Sequence, residues 1–152
     1  MESLQVTTRI SIFPDSISKR ILIIDDKNEL LHLMRRTLED ESYQVVALQD
    51  GKKGFLYMKI LLPDLLILDL KLGTVSGQDI LKQIKNEPLT ANIPVLVYTA
   101  AVLEVKEVEN LIAKDPQFYS GVYILRKPFE LDTLLDIIKD MLAMRNPGLI
   151  LS

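Results

Sequence analysis

Apolar positions along the chain fall into two alternating rhythms. Short aliphatic runs recur at Ile21–Asp25, Tyr43–Leu48, Asp64–Asp69, Ile93–Thr99 and Val122–Arg126. Each is four to seven residues of mostly β-branched or leucine side chains, the pattern of strands covered on both faces. Between them the period changes to that of a helix. Leu131, Leu134, Leu135, Ile138 and Leu142 line one face of a 3.6-residue turn, and Leu30, Met34, Thr37 and Leu38 do so after the first run. Parallel neighbouring strands need crossover connections, which are right-handed, so repeated strand–helix units predict a doubly wound α/β domain with helices on both faces. Five strands fit the flavodoxin-like (βα)5 order 2-1-3-4-5, in which ligands bind beyond the carboxyl ends of the strands near the first and third.

That rule turns attention to what ends each strand. The first ends in Asp25 and Asp26, the third in Asp69, the fourth in Thr99, and the fifth in Lys127 followed by Pro128. Any one aspartate after a strand is an ordinary helix cap or turn residue. Three at the mouths of adjacent central strands are different, because nothing in capping asks them to converge. Clustered carboxylates raise one another's pKa unless a cation neutralises them. An oxygen-only donor set selects a hard divalent ion, Mg²⁺ above all, which favours one or two carboxylates, waters and a phosphate. Lys127 offers a point charge for a phosphate oxygen, and the Thr99 hydroxyl can donate to another. Asp69 is then the carboxylate placed to carry a phosphoryl group.

Composition narrows the picture further. The chain of 152 residues carries a net charge of −3 and has no cysteine. Thiolate and disulfide chemistry are therefore excluded, and a reducing compartment is suited. The charge balance lacks the basic footprint that nucleic acid or an anionic membrane requires. No apolar run is long enough to span a bilayer, and the start MESLQVTTRI lacks the order of a signal peptide. A cytoplasmic protein with one core is expected.

With these residues in place the chain resembles a response-regulator receiver domain of the chemotaxis-regulator type. The resemblance covers about residues 20–145 and rests on four ordered motifs: the acid pair Asp25–Asp26, Asp69 in LLILDLKLGTVSG, Thr99 in VLVYTAA, and Lys127 in RKPF. It implies that Asp26, Asp69 and the backbone carbonyl of Lys71 ligate Mg²⁺, with Asp25 acting mainly through water. It further implies that Asp69 takes a phosphoryl group from the histidine of a sensor histidine kinase or phosphotransfer protein, that Thr99 and Lys127 bind the group, and that the Lys127–Pro128 bond is cis. Gly77 matches the family glycine where the chain turns into the third helix. The product is a signalling phosphoacceptor rather than a turnover enzyme, working through an unidentified downstream protein and open to homodimer formation.

Several positions depart from the family pattern. Three residues before Lys127, where the family usually has an aromatic, stands Ile124, and the aromatic is the adjacent Tyr123. Adjacent strand residues face opposite ways, so Tyr123 fills that role only if a bulge shifts the register. Gly73 stands where the family tends to have proline, which predicts a looser loop after Asp69. Lys71 and Ala101 occupy positions that tune aspartyl-phosphate lifetime in the family. AKDPQFYSGVY lengthens the segment between Thr99 and Lys127, so the fourth helix and its loop are expected to differ from the family shape. His32, the one histidine, reads as a surface helix residue, and Tyr57 and Met58 as packing. Residues 1–19 form an N-terminal extension in which Val6, Thr8, Ile10 and Ile12 alternate, as a short added strand or an arm would. Residues 146–152 are expected to form a short tail with no output domain. Two alternatives stand beside the phosphoacceptor: a phosphorylation-independent receiver-like adaptor, and an aspartyl-phosphate phosphatase of haloacid-dehalogenase type. The second wants an Asp-x-Asp motif after the first strand, which DDKNE does not supply.

Overall fold

In a computed structural model the chain is described over residues 19–144. The expected N-terminal extension, but for Lys19, and the expected tail lie outside the described residues. Five strands, β1 (Arg20–Ile24), β2 (Gln44–Leu48), β3 (Leu65–Asp69), β4 (Val95–Thr99) and β5 (Val122–Arg126), alternate with helices α1 (Asn28–Asp40), α2 (Gly54–Leu61), α3 (Gly77–Asn86), α4 (Val102–Lys114) and α5 (Leu131–Met144). A 3₁₀ turn at Gly51–Lys53 leads into α2. All strand pairs are parallel, in the order β2-β1-β3-β4-β5. The fold is the flavodoxin-like receiver fold expected from the chain's pattern, with the starts of the first four strands moved by one or two residues and β5 as expected.

Strand alternation divides the core into two layers. Leu22, Ile24, Leu66, Leu68, Val95 and Val97 point to the face covered by Met58 of α2, by Ile80, Leu81 and Ile84 of α3, and by Val108 of α4. Ile21, Ile23, Leu65, Ile67, Leu96 and Tyr98 point to the other, covered by Leu31, Met34 and Leu38 of α1 and by Leu134, Ile138, Met141 and Leu142 of α5. β3 and β4 are buried along their whole length, so their side chains are apolar except at the tips, where Asp69 and Thr99 stand, and at Tyr98, whose hydroxyl has a partner in Asp25. Met34 and Leu38 of the expected α1 stripe are buried together with Leu31, Leu30 packs partly buried against the same layer, and Thr37 bonds back to the Leu33 carbonyl at 2.8 Å. His32 is exposed on α1, Met58 is fully buried and Tyr57 packs against the core.

The segment after α4 closes compactly. Asp115 Oδ1 accepts the Phe118 N–H at 3.0 Å, the Phe118 and Tyr119 rings meet edge to face, and Tyr119 is buried. Gly121, at φ +79°, supplies the left-handed turn into β5. Lys85, near the end of α3, is buried and donates to the Ala91 and Ser120 carbonyls at 2.8 and 2.7 Å, tying the approaches to β4 and β5 together. Burial holds its ammonium below the usual lysine range.

The junction between β3 and α3 is the tightest part of the site's support. A Cβ on Gly77 would fall 2.6 Å from both the Asp69 carbonyl oxygen and the Leu70 Cα. Both are backbone atoms that cannot swing away, so α3 can start this close to the strand tip only from a glycine. Gly77→Ala is expected to destabilise the domain by about 1–3 kcal/mol, the usual cost of overpacking, read as a lower urea midpoint at unchanged slope.

Candidate functional site

The carboxyl ends of β1, β3, β4 and β5 meet at one edge of the sheet. Oxygens of Asp25, Asp26 and Asp69 lie within 4.8 Å of one another. Asp69 ends the central strand and is almost wholly buried, Asp25 is fully buried and Asp26 is exposed. Three carboxylates held this close need compensation, and two lysines supply it. Lys127 Nζ stands 3.6 Å from Asp69 Oδ2, and Lys27 Nζ donates to the same oxygen at 3.2 Å while reaching to 3.7 Å from Asp26 Oδ1.

Backbone donors complete the arrangement. The Lys27 N–H bonds Asp25 Oδ1 at 2.8 Å, the Lys71 N–H bonds Asp69 Oδ1 at 3.1 Å, and the Gly73 N–H bonds Asp26 Oδ2 at 2.8 Å. The last bond is one that a proline at position 73 could not make. The loop after Asp69 is thus tied to the acid cluster where a looser loop was expected. Ser76 caps α3 by accepting the Gln78 N–H at 3.2 Å, which fixes the other end of that loop.

Thr99 is buried at the end of β4, and its hydroxyl accepts the Ala101 N–H at 3.1 Å. The Lys127 N–H bonds the Thr99 carbonyl at 3.1 Å, and the Lys127–Pro128 bond is cis. Thr99 and Lys127 also line a small cavity with Val102, Val105, Lys106 and Arg126, between α4 and β5.

Charge and burial act together on these groups. Burial pushes the Asp25 carboxyl above its ordinary range, against the pull of the Tyr98 hydroxyl and the Lys27 N–H. For Lys27, burial works to lower the ammonium, but the bond to Asp69 and the charges of Asp69, Asp25 and Asp26 outweigh it and hold the pKa above the usual value. Lys27 is therefore a cation at any ordinary pH, already sitting on the carboxylate that the sequence singles out.

The structure gathers Asp25, Asp26, Asp69, Thr99 and Lys127 at one edge, as the strand-end rule requires, and places Lys71 beside Asp69 through its N–H. It settles the register at β5. Pairing with β4 runs without a bulge, Leu96 to Tyr123 and Val97 to Ile124. Tyr123 therefore turns away to the α5 side, where its hydroxyl donates to Met144 Sδ at 3.6 Å, and Ile124 packs into the opposite layer. Ile124 holds the position that is aromatic in the family. Lys27 and Tyr98 are site residues that the strand-end rule passed over. The hydropathy pattern carries no sign of Lys27, and Tyr98 sits in the quoted VLVYTAA as one more buried strand residue.

The sequence profile of the response regulator receiver domain matches residues 21–139. The chain belongs to the response regulator receiver domain family. Curated relatives of this receiver include the phosphate regulon transcriptional regulatory protein PhoB of Rhizobium meliloti, 30% identical over 84% of this chain and 54% of the relative. The DNA-binding dual master transcriptional regulator RpaA of Synechocystis is 36% identical over 81% of this chain and 48% of its own length. The receiver thus spans about half the length of these curated relatives. Among solved structures, a CheY-like response regulator receiver domain protein from Methanospirillum hungatei superposes with a TM-score of 0.70 at 26% identity, covering 86% of this chain and 98% of that one. A putative response regulator from Chloroflexus aurantiacus gives the same TM-score and identity over 83% of this chain and 98% of its own.

The Asp25, Asp26 and Asp69 oxygens fit a hard divalent ion in number, charge and donor type. Lys27 Nζ, 3.2 Å from Asp69 Oδ2 and 3.7 Å from Asp26 Oδ1, is drawn to the same oxygens and competes with such an ion. Being more than half exposed, its ammonium competes weakly, at up to about 1 kcal/mol. Lys27→Met is accordingly expected to tighten Mg²⁺ binding by up to about fivefold, measured by isothermal titration calorimetry at fixed ionic strength.

Proposed function

We propose that this receiver is a signalling phosphoacceptor: Asp69 takes a phosphoryl group from the phosphohistidine of a sensor histidine kinase or phosphotransfer protein, and the change is passed on by protein contacts in the cytoplasm. One observation carries the reading. Asp69 closes the central strand with two partner carboxylates within 4.8 Å on one side and the Lys127 ammonium 3.6 Å away on the other. That is a place for a cation and a place for an anion on either side of one nucleophile.

The residues divide the work accordingly. A carboxylate oxygen of Asp69 attacks the phosphorus, the O–P bond forms as the P–N bond breaks, and the imidazole leaves with the bonding pair. Lys127, only 15% exposed, stays in place to hold a phosphoryl oxygen. The Thr99 hydroxyl uses its acceptor side for the Ala101 N–H, which leaves its proton available for a second phosphoryl oxygen. Lys27, on a more exposed and longer reach, moves aside. Mg²⁺ bound by Asp26, Asp69 and the Lys71 carbonyl, with Asp25 through water, supplies neutralisation of the oxygens' charge when present. Phosphorylation raises the local charge from one negative to about two and adds three acceptor oxygens. Movement of Thr99 toward them would change the lining of the cavity it shares with Val102 and Val105, so the readout falls on the β4–α4 loop and the α4–β5–α5 face.

A second reading has its own support. Lys27 already neutralises the cluster from within the chain, and Ile124 replaces an aromatic at the switch position. Both suit an adaptor that binds its partner without phosphorylation, and equal partner binding with and without acyl phosphate would favour it.

Intact-protein mass after incubation with acetyl phosphate separates the two. A single phosphoryl adduct is expected in Mg²⁺, absent in EDTA and absent in Asp69→Asn, whose fold should be unchanged because the amide keeps the shape of the carboxylate. An adduct that persists in Asp69→Asn would defeat the proposal.

A further inference from the structure

Tyr98 is the one aromatic among the aliphatic residues of β4, fully buried and paired in register with Asp69 on the neighbouring strand. It lies on the same sheet face as Ile21 and Ile23 of β1, the face toward which Asp25 also points by alternation. Its hydroxyl therefore passes across the end of β3 and donates to Asp25 Oδ2. The other Asp25 oxygen takes the Lys27 N–H, so the buried carboxylate is held at both ends.

The ring has a second partner. Lys127 Nζ stands over its face, 4.4 Å from the centroid, well inside the distance at which an ammonium is attracted to an aromatic quadrupole. The ring edge also meets Phe129, two residues beyond Lys127, at 6.1 Å and 81°, so the loop that carries the lysine leans on the same side chain. One rigid body thus touches the acid on one flank of Asp69 and the lysine on the other. A phenylalanine would provide the seat for Lys127 but no donor for Asp25. A leucine would provide neither.

We propose that Tyr98 is a positioning residue for phosphoryl transfer, fixing Asp25 through its hydroxyl and seating Lys127 on its ring face so that the metal side and the phosphoryl side of Asp69 are set from one point in the core. The inference rests on the phosphoacceptor reading for its consequence, though not for its geometry. Its hydroxyl orients a carboxylate that reaches the metal through water; loss of such a partner from a direct ligand weakens metal binding by about tenfold or more, which sets the upper end here. Its ring acts on the phosphoryl side alone.

The two arms come apart in two variants of the full chain, Tyr98→Phe and Tyr98→Leu, compared with wild type by Mg²⁺ titration calorimetry, by thermal melting and by the rate of adduct formation from acetyl phosphate. Tyr98→Phe is expected to weaken Mg²⁺ binding severalfold, by up to about tenfold, with the rate recovered as Mg²⁺ is raised to saturation. Tyr98→Leu is expected to weaken Mg²⁺ equally and also to lose roughly tenfold in rate at saturating Mg²⁺, from the unseated lysine. A purely structural role would lower melting temperatures and leave both readouts of the folded protein untouched. Unchanged Mg²⁺ affinity in Tyr98→Phe overturns the inference, whether or not wild type forms an adduct, and decides it even if Tyr98→Leu does not fold. A wild type that binds Mg²⁺ in a Tyr98-dependent way but forms no adduct overturns the phosphoacceptor reading alone.

Discussion

Everything at the working edge of this domain follows from the mutual repulsion of three carboxylates held within 4.8 Å. Asp25 and Asp69 are buried, so solvent cannot screen them as it screens Asp26. Such a cluster persists only with positive charge and N–H donors around it. The chain provides both: two ammoniums on one Asp69 oxygen, and an amide from Lys27, Lys71 or Gly73 on each of the three acids. The two lysines are not equivalent. Lys127 is largely buried and rests on the Tyr98 ring, whereas Lys27 is more than half exposed. One is built in and the other can leave, and that difference makes room for a cation.

The parallel sheet makes the convergence possible. Its buried central strands are aliphatic along their length but for Tyr98, so charged groups collect at the tips, and the order β2-β1-β3-β4-β5 puts the tips of β1, β3 and β4 side by side. The junctions then hold them at short range. Gly77 lets α3 start against the backbone of Asp69 and Leu70, and Gly73 gives Asp26 an N–H. The two core layers are not only filling, since Tyr98 belongs to the layer of α1 and α5 and still ends in the site.

Fold and strand-end residues were legible because both depend on patterns that sequence displays directly: aliphatic runs, helical periods, and a change to Asp, Thr or Lys at a strand's last residue. What stayed hidden depends on side-chain reach or on register. Lys27 reads as a helix-flanking residue, and only its extended side chain brings it onto Asp69. Tyr98 reads as core, although its alternation with Asp25 across the intervening β3 was the signal that could have found it. The choice between Ile124 and Tyr123 turned on whether a bulge shifts β5, and the unbroken pairing with β4 decides for Ile124. Glycine at position 73 suggests freedom when its missing side chain is counted, yet the N–H that proline would lack ties the loop down. In α1 the helical period put Leu30 and Thr37 on the stripe with Met34 and Leu38, and the packing buries Leu31 there and leaves Leu30 at its margin.

The central claim is that the carboxylate cluster is a cation site temporarily answered by Lys27. A crystal structure grown with Mn²⁺, a scatterer that stands in for Mg²⁺, tests it by anomalous difference density. One peak is expected in contact with Asp26 and Asp69, with the Lys27 ammonium withdrawn and Lys127 still on the Tyr98 ring. Density that shows Lys27 still bonded to Asp69, and no peak among the three acids at saturating Mn²⁺, would contradict it.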